Sequence, residues 1–292
     1  MTHRRAVFTM IGVTLMWSIA GVVTRHLEAA RSFEVTFWRS AFTVVTLAAL
    51  LPALRGREAL VRSLREGGTT LWLSGLCWSV MFTAFMIALM LTTVANVLVT
   101  MAISPLLTAL VARFFLGHRL APRTWAAIIV AGIGIAWMYA REVSGGSAQH
   151  VLGTAVALAV PMAAAVNWTV IQHNRSAAGV DLLPAVLIGA VISAAVTLPF
   201  ALPFAASLHD LGLLALLGVV QLSIPCLVAV SVARHLNAPE ASLLALLEVV
   251  FGVAWAWLGA NEAPAAHVLG GGALVLTALA TNEALALRQS KT

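Results

Sequence analysis

The sequence predicts an all-α integral membrane protein of about ten transmembrane helices, and three observations lead there. Apolar residues make up 61% of the 292 and charged residues only 10%, against about 45–50% and about 25% in a soluble domain. The apolar residues gather in long runs rather than alternating, so barrel strands are excluded and helices, which satisfy their own backbone groups, are required. Each crossing takes about 20 apolar residues, so ten occupy roughly 200 positions and leave only short loops and tails.

Breaks rich in charge or turn residues delimit the runs at 6–25, 34–54, 70–90, 93–115, 122–140, 151–172, 181–203, 209–234, 239–259 and 266–286. The boundary near Leu91–Thr93 rests on length, because 70–115 is too long for one crossing. Met1 to Arg5 ahead of an apolar run has the look of a secretory signal. The run continues to Arg25 without an A-x-A cleavage site, however, and reads as a retained first span.

Basic residues set the orientation. With the N-terminus inside, cytoplasmic segments hold Arg4, Arg5, Arg55, Arg57, Arg62, Arg65, Arg113, Arg119, Arg123, Arg175, Arg234, Arg288 and Lys291. The opposite side holds Arg25, Arg31 and Arg141, and Arg39 lies within a span. Thirteen against three is a positive-inside bias, and it places both termini in the cytoplasm.

The expected organisation is a first five-helix repeat at 1–141, a linker at 142–150, a second, inverted repeat at 151–286 and a cytoplasmic tail at 287–292. Val143-Ser144-Gly145-Gly146-Ser147 forms the link. Aligning Ser104 with Glu248 sets Gly117-His118 opposite Asn261-Glu262. Five spans per copy turn the second copy upside down, and inverted repeats build two related gates around a central cavity.

Several function classes are excluded. The net charge of +6 does not indicate nucleic acid, because the basic residues stand one to four at a time between apolar runs, in no patch. Cys77 and Cys226 fall inside apolar runs without metal or disulfide spacing. The eight histidines lie at span ends or in loops, and no HExxH, phosphate-cradling loop or nucleophile elbow appears. Gly270-Gly271-Gly272 reads as close helix packing. An enzyme, a cofactor and a metal are not expected.

The buried polar residues carry the functional reading. In run four, Asn96, Thr100, Ser104 and Thr108 recur at i, i+4 and form one helical stripe, facing either a cavity or a neighbouring helix. Pro105 beside Ser104 removes a backbone donor and favours a kink. Run one offers Trp17 and Ser18 too deep for an interfacial belt, and run six offers Asn167 and Trp168, where belt and site readings compete. Trp78, Phe82 and Phe85 repeat at helical spacing in run three, as packing or as a site wall. Gln221 lies midway along run eight, one turn before Pro225, and needs partners at that depth. Glu248 sits near the centre of run nine, where an ionised acid costs about 2.5–3.5 kcal/mol; neutrality, a paired cation or an aqueous cavity would relieve it. Arg39 reads as snorkelling outward, as a pair with Glu34, or as a charge at an extracellular gate.

The chain resembles the EamA family of the drug/metabolite transporter superfamily at Leu15-Met16-Trp17-Ser18, Phe37-Trp38-Arg39, Ile103-Ser104-Pro105-Leu106, Phe114-Phe115-Leu116-Gly117-His118-Arg119-Leu120, Leu247-Glu248-Val249-Val250 and Asn261-Glu262. The family's Gly-Glu ending stands here as Gly117-His118 and Asn261-Glu262, and its Glu-Pro as Glu248-Val249. Within the family the chain is most similar to the YddG-type amino-acid exporters. The resemblance implies eight helices around a central cavity, with runs five and ten peripheral. It also implies export of amino acids or related metabolites through the bacterial inner membrane.

The expected function is therefore a secondary transporter working by alternating access. Trp17, Ser18, Trp78, Phe82, Asn96, Thr100, Ser104, Asn167, Trp168, Gln221 and Glu248 would meet a small-molecule substrate, and Arg39 would serve as gate or charge pair. Small amphipathic zwitterions suit this lining better than sugar phosphates, which need several interior cations. An exporter of lipophilic cations is the alternative that Glu248 keeps open. The bilayer is the expected partner, and a monomer the expected working unit.

Overall fold

The computed structural model describes residues 3–116, 148–176, 180–236 and 238–289, with scattered positions between 122 and 137. Much of predicted run five and most of the linker lie outside the described residues. So does Gly117-His118.

Every regular element among the described residues is helical. Run one forms α1 (His3–Trp17) and α2 (Ile19–Thr24), and run two forms α3 (Ser32–Arg55). The short α4 (Arg57–Glu66) precedes run three, which is α5 (Gly68–Leu91); run four is α6 (Val94–Met101) and α7 (Ser104–Leu116). Run six forms α8 (Ala148–Ala157) and α9 (Ala159–Ser176), and run seven forms α10 (Leu183–Ala201). Run eight is α11 (Leu208–Leu216), a π-helical stretch (Leu217–Ser223) and α12 (Ile224–Ala233). Run nine is α13 (Ala238–Ala245) and α14 (Leu247–Ala260), and run ten is α15 (Ala266–Gln289). Among the described residues, seven helical stretches, counted across their breaks, are long and apolar enough to cross a membrane; the apolar helices Leu247–Ala260 and Ala266–Ala278 are shorter. The all-helical membrane fold expected from composition is the fold observed.

The segment between Arg55 and Gly68, expected as a break, is mostly the helix α4. Its Leu60 and Leu64 pack on the core while Arg57, Arg62 and Arg65 stay exposed. The division near Leu91–Thr93 is real: α5 ends at Leu91 and Thr93 caps α6, its side chain accepting from Asn96 N.

Two of the long runs break where proline dictates. Pro105 and Pro161 cannot donate to the residue four before, and each ring crowds that carbonyl. Those residues are Met101 and Ala157, and there α6 and α8 stop. Pro225 likewise gives nothing to the Gln221 carbonyl, and run eight widens to π geometry just before it. Runs one and nine break at Ser18 and Leu246 with no proline to cause it.

Buried carboxylates tie the helices together at the end of the bundle where run one finishes. Asp210 is fully buried and accepts from Glu28 N at 2.8 Å, Ala29 N at 2.9 Å and Ala30 N at 3.0 Å, while forming a capping box with Ser207. Glu34 accepts from Ala205 N and Ala206 N at 2.8–3.0 Å. These are orphan loop and helix-start donors that lipid cannot satisfy.

Both oxygens of Asp210 are taken by N–H donors, so Asp210→Asn turns one acceptor into a facing donor. Losing charge-assisted bonds of this kind lowers the thermal unfolding midpoint in detergent by roughly 5 °C. An unchanged midpoint rules out a structural role for this carboxylate.

Candidate functional site

Helices from seven runs converge on one cavity. Trp17 at the end of α1, Arg39 of α3, and Trp78, Met81, Phe82 and Phe85 of α5 form one side of it. Met101 and Ser104, on either side of the break in run four, continue the wall, as do Val160, Ala164 and Trp168 of α9. Gln221, Leu222 and Cys226 come from run eight, and Ser242, Ala245, Leu246, Glu248 and Val249 from run nine. It encloses about 100 Å³, several times the roughly 10–15 Å³ that one water needs. That is room for a small organic molecule.

The helix breaks sit on this wall. In runs four, six and nine hydrogen bonding tightens to the third residue back: Ala102 N reaches Val99 O at 3.1 Å, Leu158 N reaches Ala155 O at 3.3 Å, and Val249 N reaches Leu246 O at 2.9 Å. In run one the Trp17 carbonyl, freed at the break, accepts instead from Gln221 Nε2 at 3.3 Å. Irregular backbone at this depth is tolerated where it lines a cavity or is buried in protein.

Arg39 belongs to the cavity. Its Nη2 donates to Phe82 O at 2.7 Å, its guanidinium carbon stands 5.8 Å from the Phe82 ring centroid, and Nη1 reaches Gln221 Oε1 at 3.4 Å. It is 1% exposed, so the snorkelling reading fails. The Glu34 pairing fails too, because that carboxylate is spent on Ala205 N and Ala206 N. Gly218 lets run eight approach this point: a Cβ there would lie 2.8 Å from Arg39 O and 2.6 Å from Phe42 Cβ.

Glu248 lies in the first turn of α14, just past the break at Leu246. It is 8% exposed and, among the described residues, no hydrogen bond reaches its carboxyl and no basic group lies within ion-pair distance. Trp78 stacks at a tilt against Phe82, centroids 5.4 Å apart, and its buried Nε1 has no partner among the described residues. Ser242 Oγ donates to Ser104 Oγ at 3.2 Å across runs four and nine.

Of the residues singled out from sequence, Trp17, Trp78, Phe82, Ser104, Trp168, Gln221 and Glu248 line the cavity, joined by Arg39. Four do not. The run-four stripe assumes one continuous helix, and the break at Ala102–Ile103 ends that register. Asn96 Nδ2 donates to Thr92 Oγ1 at 3.1 Å, and Thr100 Oγ1 donates to Asn96 O at 2.7 Å, both inside the packed helix. Thr108, of the same stripe, donates to Ser104 O. Asn167 precedes Trp168 by about 100° around the helix, so it points elsewhere and accepts from Ser74 Oγ at 2.7 Å. Ser18 donates to Leu15 O. Sequence reasoning missed Ser242 and Cys226; Ser242 shares a 3–4-residue rhythm with Ala245, Leu246 and Val249, a signal it left unused.

A second arrangement lies at the end of the bundle where run one finishes. Arg25 Nε pairs with Glu262 Oε2 at 2.6 Å, and its Nη1 and Nη2 donate to Leu89 O at 2.8 Å and Thr92 O at 2.9 Å. Glu262 Oε1 accepts from Val94 N at 2.6 Å. Asn261, left-handed at φ 54°, ends α14 and turns Glu262 toward α6. One ion pair thus holds the ends of runs one, three and nine to the start of run four.

A helical bundle whose broken spans surround a buried polar and aromatic cavity is the build of a membrane transporter. Residues 4–140, a little under half of the chain, match the EamA-like transporter family. A crystal structure of a protein superposes with a TM-score of 0.68 at 20% sequence identity, covering 97% of this chain and 99% of the other. That likeness is one of fold. No curated protein matches the sequence.

Gly218→Val pushes a branched side chain into the Arg39 backbone. Overpacking of about 1–3 kcal/mol lowers the midpoint by about 2–8 °C. Stability equal to wild type shows that the close approach of runs two and eight is not required.

Proposed function

We propose that this protein exports amino acids or closely related small metabolites across the bacterial inner membrane by alternating access, with both termini cytoplasmic. The observation that carries the reading is the meeting of four broken helices on one small cavity with mixed polar and aromatic walls. Discontinuous spans supply free backbone groups for a substrate near the midplane.

Breaks in runs one, four, six and nine also support two inverted five-helix repeats. Setting Ser104 against Glu248 puts the break residue Ala102 opposite the break residue Leu246. On this reading runs one and six correspond, as do runs four and nine. Trp17, Ser104, Trp168, Gln221 and Glu248 contact substrate, whereas Ser18, Asn96, Thr100 and Asn167 hold helices in place. The YddG-type resemblance favours amino acids, and the cavity's single guanidinium disfavours sugar phosphates.

The Arg25–Glu262 pair is the closed outer gate. Its partners lie at the ends that the arginine bias assigns to the outside, and the cavity wall begins a turn or more deeper, at Phe85 and Trp17. Export of lipophilic cations is the second reading, favoured by Glu248 among aromatics; Arg39 on the same wall opposes it by like-charge repulsion.

Purified protein in liposomes loaded with unlabelled amino acids is expected to show saturable counterflow of labelled ones. Counterflow confined to lipophilic cations establishes the second reading, and linear, non-saturating flux establishes a pore. For the gate, Cys226 is a natural reporter once Cys77 is replaced by Ala. Glu262→Gln is expected to raise labelling of Cys226 by an impermeant maleimide from outside about ten-fold. Unchanged labelling sinks the gate assignment.

A further inference from the structure

We infer that Arg39 and Glu248 form a two-point clamp, Arg39 taking the substrate's carboxylate and Glu248 its ammonium, with a large apolar side chain lying between the aromatic walls. The inference rests on the proposed function and assigns specificity within that same cavity.

Two opposite charges, each more than nine-tenths buried, line one cavity without forming an ion pair with each other. Burying a charge without a full set of partners is strongly unfavourable. Direct neutralisation would be the simplest remedy, yet the chain holds the two groups apart. Arg39 is fixed from behind by Phe82 O, the Phe82 ring and Gln221 Oε1, while its Nε is left without a partner among the described residues. A guanidinium so oriented, with spare donors, is pre-organised for a carboxylate. The Trp78 indole N–H, also unpartnered among the described residues, adds a donor beside it on α5.

Glu248 presents the complement. No hydrogen bond among the described residues satisfies its carboxyl, which stands on the cavity wall as an acceptor that an ammonium would meet. Gln221 joins the halves by accepting from Arg39 and donating to the Trp17 carbonyl at the break in run one. A free amino acid offers both charges on one carbon, so it neutralises the pair in a single binding event. A monovalent amine or acid leaves one buried charge uncompensated. The remaining wall, with Trp17, Met81, Met101 and Trp168, is apolar and suits a bulky aliphatic or aromatic side chain.

The test uses counterflow of labelled L-leucine in liposomes, inhibited by unlabelled L-leucine, by isoamylamine, which lacks the carboxylate, and by 4-methylpentanoate, which lacks the amine. Wild type is expected to prefer leucine over either analogue by about ten-fold or more, the worth of one charge-assisted contact. Arg39→Gln is expected to weaken inhibition by leucine about ten-fold and leave isoamylamine within two-fold. Glu248→Gln is expected to do the reverse, sparing 4-methylpentanoate. Ratios within one preparation do not depend on how much protein folds. If isoamylamine or 4-methylpentanoate inhibits wild type as well as leucine does, or if Arg39→Gln weakens leucine and isoamylamine equally, the clamp is wrong while the transporter reading stands. Absence of leucine counterflow in wild type, with lipophilic cations transported, overturns both.

Discussion

Lipid offers no hydrogen bonds, and that one constraint explains where this chain's polar groups go. Backbone N–H and C=O groups must find partners within the protein, so helices dominate, and several departures from regular helix among the described residues have a named recipient. The loop donors Glu28 N, Ala29 N and Ala30 N go to Asp210, Ala205 N and Ala206 N go to Glu34, and Val94 N goes to Glu262. The carbonyls at the end of α5 go to Arg25. Asp210, Glu34 and Glu262 therefore act as caps. Glu248 stands apart because, among the described residues, it caps nothing.

The same constraint decides how the threonines behave. Thr14, Thr43, Thr100, Thr108, Thr169 and Thr197 each donate to a carbonyl three or four residues back in their own helix. Thr43 and Thr108 also reach Gly218 O and Ser242 Oγ on other runs, but a hydroxyl returned to its own backbone alone presents a methyl group to its neighbours. A threonine inside an apolar run is thus weak evidence for a binding site. Asn96 and Thr100 show this directly, whereas Ser104, at the first residue after a break, keeps its hydroxyl for Ser242.

The helical class, the placement of most spans and much of the cavity wall were legible in sequence, because they follow from apolar run length and from large polar or aromatic side chains too deep for the interface. Gln221, Glu248 and Trp17 announce themselves in this way. The break in run four was legible through Pro105, and that in run six was equally so through Pro161. Those at Ser18 and Leu246 were not, since neither has a proline four residues on and tertiary contacts alone sustain them. Which way Arg39 faces was not legible, because depth along a helix says nothing about rotation around it; the approach of Gly218 and Gln221 on a distant run gives it an inward address. Arg25 and Glu262 were both placed at the same end, but no local pattern announces a pair 237 residues apart.

The two ends of the bundle are held unequally. At the Arg25 end, one pair with side-chain exposures of 26% and 19% also takes three backbone groups, and two further buried carboxylates pin adjacent loops. At the other end Arg234 meets Asp181 at 2.8 Å and Arg55 meets it at 4.0 Å, with side-chain exposures of 36%, 25% and 49%. Exposed pairs contribute about 0–1 kcal/mol, whereas less solvated charge-assisted bonds contribute more. On the proposed function, this difference favours a resting state with the Arg25 end shut. On the proposed orientation that end faces outward, so the binding cavity is offered first to the cytoplasm, as an exporter requires. Opening it demands that several strong bonds break together, and a substrate that neutralises two buried charges is a fitting source of the free energy that shifts such a balance.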